Sequence, residues 1–206
     1  MAAIKQIKTD SFTEEIINKS KFLAFSFCVQ TKNDVEIALN VLKTKYSDCT
    51  HICYAYKLAT GEEKCFDDGE PQGTAGLPIL DVIKKNDVCN VLIAVVRYFG
   101  GVKLGAGGLL RAYSNSASNV LKLSNVTQAE KCKKITFELP VSMSKYVKIF
   151  ENLMGIKKQE VKFADKITIS IFVILQQVDS IKQQINDILA LKIDFIEDDN
   201  IFFVGE

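Results

Sequence analysis

Apolar positions along this chain recur with two periods, and the switches between them outline its elements. SKFLAFSFCVQ, Ser20 to Gln30, is aromatic and apolar and predicts a strand. NDVEIALNVLKTKY follows with Val35, Leu39 and Leu42 at helical spacing, opened by Asn33 or Asp34 as the capping residue. CTHICYAYKL, from Cys49, predicts a second strand, and GEEKCFDDGEPQGTAG predicts an acidic run of turns. TAGLPILDVIKKN predicts a helix whose Pro78 falls early enough to be tolerated, with Thr74 as its cap. CNVLIAVVRYF is apolar without a break, the mark of a central strand covered on both faces. AGGLLRAYSNSASNVLKLS then predicts a long helix.

The pattern shifts near Thr127 to Lys134 and restarts. KKITFELP alternates Ile135, Phe137 and Leu139 as a half-buried strand does. SMSKYVKIFENLMG predicts a helix closed by Gly155. IKKQEVKFA and KITISIFVIL predict two strands joined by a short turn at Ala164 to Lys166. QQVDSIKQQINDILALK carries Val178, Ile181, Ile185 and Ile188 on one helical face, and IDFIEDDNIFFV supplies a last strand with a possible fold back on itself. The order is βαββαβ, which is ferredoxin-like. The reading is therefore an α+β chain of two domains, residues 1–130 and 131–206.

Composition narrows the partners. The chain has 206 residues, 26 cations against 25 acids and a net charge of +1, so contact with nucleic acid has to use a local patch. Such a patch exists in the sequence. No acid falls between Asp87 and Glu130, while Arg97, Lys103, Arg111 and Lys122 do, and Glu62, Glu63, Asp67, Asp68 and Glu70 crowd just before. The start, MAAIKQIKTDSFTEEI, lacks an export signal, and VLIAVV and ISIFVIL are too short to span a bilayer. The six cysteines form no CxxC pair and are expected as reduced thiols in the cytoplasm, with no membrane partner.

Three constellations carry candidate chemistry. RYFGGVKLGAGGLLRAY holds five glycines, Gly100, Gly101, Gly105, Gly107 and Gly108, at the start of a helix. Backbone N–H groups at a helix start attract anions, and Lys103 and Arg111 add charge. No Gly-Lys-Ser/Thr follows, so it is no Walker A loop. The alternative is that the glycines serve tight turns and close packing. In DDGEPQGTAG, Asp67, Asp68 and Glu70 can bind a divalent metal or move protons. Otherwise they pair with Arg97, Lys103 or Arg111 and hold two loops together. His51, the only histidine, sits between Cys49 and Cys53 on one strand face; a flat strand is a poor zinc cage, and no metal is expected. Tyr98 and Phe99 can stack on bases or belong to the core.

HICYAY, DDGEPQGTAGLPIL and VVRYFGGVKLGAGGLLRAYS together resemble the signature of the IMPACT family in its bacterial YigZ-type form. The resemblance covers roughly the first 125 residues. It implies a first domain with the fold of ribosomal protein S5 domain 2, shared by domain IV of elongation factor G. It implies a second, ferredoxin-like domain resembling one of the same factor. Eukaryotic relatives regulate translation under amino-acid stress, partly through an extra domain that these motifs do not include. For bacterial members it implies a link to RNA or the ribosome and no established reaction. The motif residues carried over are Asp67, Asp68, Gly69, Glu70, Pro71, Gly73, Thr74, Ala75 and Gly76, then Arg97, Tyr98, Gly100, Gly101, Lys103, Gly105, Gly107, Gly108, Arg111 and Tyr113, with His51 before them. Cys49 departs from the small residue expected there.

The expected function is a non-enzymatic, translation-linked regulator. It binds RNA or the ribosome through Gly73, Thr74, Arg97, Tyr98, Gly100, Gly101, Lys103, Gly105, Gly107, Gly108, Arg111 and Tyr113, with a protein partner as a further expectation. No cofactor is expected. The alternative is an enzyme acting on a phosphorylated or nucleotide-like small molecule, with Asp67, Asp68, Glu70 and His51 as candidate catalytic residues.

Overall fold

A computed structural model describes residues 3–205, and the fold is α+β. It separates into two compact units, Ile4–Gln128 and, from Ala129 on, most of the rest.

The first unit opens with strands β1 (Ile4–Ile7) and β2 (Ser11–Ile17), then β3 (Ser20–Cys28) and helix α1 (Lys32–Lys45). Strands β4 (His51–Lys57) and β5 (Glu63–Phe66), helix α2 (Gly76–Lys85), strand β6 (Val91–Tyr98) and helix α3 (Gly105–Leu123) complete it. Its sheet runs β2-β3-β6-β4-β5, and every pairing is antiparallel. The apolar run in β6 lies at the centre, as expected, with seven of its eight residues buried. Alternation splits those residues between two cores. Val91, Ile93 and Val95 face α2 and α3, while Leu92 and Ala94 face α1. Arg97 continues the first set, so the pleat aims it at the α2–α3 side.

Three local readings need correction. The cap of α1 is Thr31, not Asn33 or Asp34. Thr31 Oγ1 accepts from the Asp34 N–H at 3.2 Å, and Asp34 accepts from the Thr31 N–H at 2.8 Å, a reciprocal capping box. Thr31→Ala is expected to cost about 1 kcal/mol, read as a lowered urea midpoint. The acidic run is not all turn, because β5 forms there by pairing with Tyr54–Lys57. Strands β1 and β2 were not expected.

Strand β7 (Val126–Pro140) starts at the end of the first unit's residues and runs on into the second, where a 3₁₀ segment (Val141–Tyr146) and a short helix α4 (Val147–Glu151) follow. Strands β8 (Ile156–Phe163) and β9 (Lys166–Ile174), helix α5 (Val178–Leu189) and strand β10 (Ile196–Gly205) follow. The order β10-β7-β9-β8 is the ferredoxin-like one, with all three pairings antiparallel. Ile135, Phe137, Leu139, Ile181 and Ile185 are buried in one core. The helix predicted over Ser142 to Gly155 is instead the 3₁₀ segment plus α4, which ends where the Asn152 side chain donates to the Lys148 carbonyl. The last strand does not fold on itself; β10 runs along β7 with an irregularity between Glu197 and Ile201.

All six cysteines are free thiols. Among the described residues, no helix is long and apolar enough to cross a membrane.

Candidate functional site

The acidic turn meets the end of β6 on the α2–α3 side of the first sheet, where Glu70 pairs with Arg97 and the other two carboxylates turn to backbone N–H groups. Asp67 leaves the end of β5 and turns its carboxylate to the start of α2. Oδ1 accepts from the N–H groups of Ala75 (3.1 Å) and Gly76 (2.8 Å), and Oδ2 accepts from Gly73 (2.9 Å). Asp67 therefore does the capping expected of Thr74, at the pole where a helix favours negative charge. The Thr74 hydroxyl instead donates to the Pro71 carbonyl at 2.6 Å.

Asp68 holds the strand below. Its Oδ2 accepts from the Ile52 N–H at 2.6 Å. Its carbonyl oxygen lies 2.7 Å from His51 Nδ1. A carbonyl only accepts, so the proton sits on Nδ1. That leaves His51 Nε2 4.0 Å from Glu70 Oε1.

Glu70 is the hub. Its Oε1 accepts from Arg97 Nη1 at 2.5 Å and from the Tyr113 hydroxyl at 2.8 Å. All three residues are buried, Glu70 at 8% exposure, Arg97 at 4% and Tyr113 at 0%. Register explains the meeting. His51 and Phe22 flank Arg97 on the two neighbouring strands. Arg97 Nη2 donates to Ser20 Oγ at 3.2 Å, and its guanidinium lies between the rings of Phe22 (5.3 Å) and Phe99 (5.5 Å). Cys53 Sγ sits 3.0 Å from the Asp67 carbonyl oxygen and 3.3 Å from the Tyr113 oxygen. Burial is the main reason the Cys53 thiol and the Tyr113 phenol are both pushed up in pKa, so both stay protonated at neutral pH.

This arrangement sorts the expected site residues. Asp67, Asp68, Glu70, His51, Arg97 and Tyr113 come together, with Cys53, weighed only as a zinc ligand, and Ser20, not named as a site residue. Period two already places Cys53 on the face of His51; nothing local marks Ser20. Arg97 and Tyr113, expected to touch a ligand, are engaged inside the fold. The carboxylates offered to a metal or a proton transfer are engaged as well. Tyr98 points to the other sheet face, where its hydroxyl donates to Asp48 at 2.8 Å, and that bond helps push it up to about 12.

The glycines divide in the same way. A Cβ on Gly100 would lie 2.0 Å from the Lys19 carbonyl oxygen, so this position exists for close packing. Gly73 adopts φ +75° at the turn held by Asp67. At the start of α3, by contrast, Gly105 and Gly107 are exposed with nothing near their missing side chains, and Gly108 touches only Leu104. The capping residue, Leu104, makes no side-chain hydrogen bond, and the first turn holds no acid. Gly101, Lys103 and Arg111 are exposed around it. Among the described residues, neither of those two cations is in an ion pair.

Residues 18–121, which include every residue of this network and the start of α3, match the model of the Impact N-terminal domain. The chain belongs to the IMPACT family. It is 41% identical over 117 residues to the IMPACT family member YvyE of Bacillus subtilis, covering 56% of this chain and 54% of that protein. It is 31% identical over 112 residues to the IMPACT family member YigZ of Escherichia coli, covering 52% and 55%. The chain thus spans about half the length of the curated relatives it matches. A crystal structure of a hypothetical protein is similar over 95% of this chain and 97% of its own, with a TM-score of 0.67 and 20% identity, a likeness of fold alone.

Proposed function

We propose that this IMPACT-family chain is a non-enzymatic, translation-linked regulator that binds RNA, free or within the ribosome, at the start of α3. The observation that carries the reading is an uncapped, glycine-built helix start, exposed and bordered by Lys103 and Arg111 with no acid in its first turn. Unpaired N–H groups and two free cations suit phosphate oxygens. The translation link follows from what the resemblance implies for bacterial members, a link to RNA or the ribosome, and from two domains that resemble those of elongation factor G. On the same footing, the first unit is the S5 domain 2-like domain and the second the ferredoxin-like domain of that family.

The test is co-sedimentation with ribosomes and with bulk RNA across a salt series. Binding should weaken as salt rises. Lys103→Ala/Arg111→Ala should flatten the log–log salt slope by about 1.4 to 1.8, from two lost phosphate contacts. Absence of binding at low salt, or a double variant that binds as the parent does, would overturn the reading.

A further inference from the structure

Phe99 is 45% exposed, yet the backbone that carries it is held by two hydrogen bonds. Its own N–H donates to Thr50 Oγ1 at 2.9 Å, and the next N–H, of Gly100, donates to Ser20 Oγ at 3.2 Å. The backbone on either side of the ring is therefore pinned to β3 and to the turn before β4. The Arg97 guanidinium lies over one ring face, 5.5 Å from the centroid. That guanidinium cannot drift, because Glu70 and Ser20 bind it and Phe22 backs it. With one face against that held cation, a residue that is 45% exposed keeps surface for a ligand. An apolar ring held open to water in this way forgoes burial that a folded chain otherwise favours.

We propose that Phe99 is a stacking platform for an unpaired nucleotide base, which makes the ligand of this surface single-stranded RNA. The inference rests on the RNA reading above and specifies its ligand. Charge complementarity argues for a nucleotide rather than an apolar side chain as the occupant. The ring is followed by exposed Gly101, Val102 and Lys103, and no acid occurs from Val88 to Ala129. A base on the ring with its phosphate near Lys103 uses both features at once. Every base has a π-face, so the platform is tolerant of sequence, but a duplex hides those faces inside its stack. Because the backbone is pinned and one ring face already rests on Arg97, less freedom is lost on binding.

The experiment titrates the full chain into a short fluorescein-labelled adenosine oligonucleotide and into the duplex that it forms with its uridine complement. A 2-aminopurine reporter replaces one adenine in a parallel single-strand titration. The single strand should bind more tightly and the reporter should be quenched. Phe99→Ala should weaken single-strand binding roughly five- to 150-fold, leave duplex binding nearly unchanged and abolish quenching. Phe99→Trp should retain both, and the unfolding midpoints of the two variants should stay close to that of the parent. Equal binding of strand and duplex, unaltered by Phe99→Ala but weakened by Lys103→Ala/Arg111→Ala, would overturn the stacking platform and leave the RNA reading standing. No binding of either RNA by the parent chain would overturn both.

Discussion

Replacing Glu70 with alanine should lower the unfolding free energy by about 3–5 kcal/mol. The change strands the Arg97 guanidinium in a site where its side chain is 5% exposed and the lost carboxylate was 4% exposed. Solvent cannot screen the charge left behind. The Tyr113 hydroxyl loses its acceptor in the same step. Arg97→Ala should fall in the same range for the mirror-image reason. The double replacement should cost less than the sum of the two, since neither charge is then left alone. Glu70→Gln should be milder than Glu70→Ala, because the amide oxygen still accepts a hydrogen bond. Urea midpoints at constant slope read all four variants. A loss below about 1 kcal/mol for Glu70→Ala would mean that the pair behaves as a surface salt bridge.

Gly100→Ala should be the other severe change. Its Cβ would meet the Lys19 carbonyl oxygen at 2.0 Å, the Lys19 carbonyl carbon at 2.1 Å and the Ser20 nitrogen at 2.5 Å. These are backbone atoms, so no side chain can swing away. They belong to the tight turn between β2 and β3, where Asn18 and Lys19 already sit at φ +46° and +66°. Either the turn lifts off or the loop after β6 does, and lifting the loop breaks the Gly100 N–H bond to Ser20. The expected cost is about 3 kcal/mol, at the upper end of overpacking effects, seen as a lower urea midpoint. Gly107→Ala is the control. Nothing lies within 4 Å of its Cβ position, and alanine is the better helix former, so stability should hold or rise slightly. Equal effects at the two positions would contradict the division of the glycines into packed and open sets.

That division shows what the sequence could and could not disclose. Elements whose signal is carried by their own side chains were legible, such as the unbroken apolar run of β6, the alternation in β7 and the apolar face of α5. Elements made by their neighbours were not. EKCF has no strand pattern and becomes β5 only because Tyr54–Lys57 offers backbone partners. The edge strand β2 mixes Phe12 and Ile16 with Glu14 on one face, which blurs its period. The site follows the same rule. The motif named its residues, and the pairing of acid with cation was one of the open alternatives. Which cation went to which acid depended on the registers His51–Arg97 and Phe22–Arg97. Gly100 looks like Gly107 in sequence, and only a turn eighty positions earlier in the chain separates their roles.

The oxygen shared at Glu70 also constrains how this stretch can change over generations. Oε1 receives Arg97 and Tyr113 together and has His51 beside it. A lineage that exchanges the acid, the cation or the phenol alone passes through a chain with a stranded buried group. Inheritance at these positions should therefore move in compensated sets or stay still, while Lys103 and Arg111, out in water, should be exchangeable one at a time without cost to the fold.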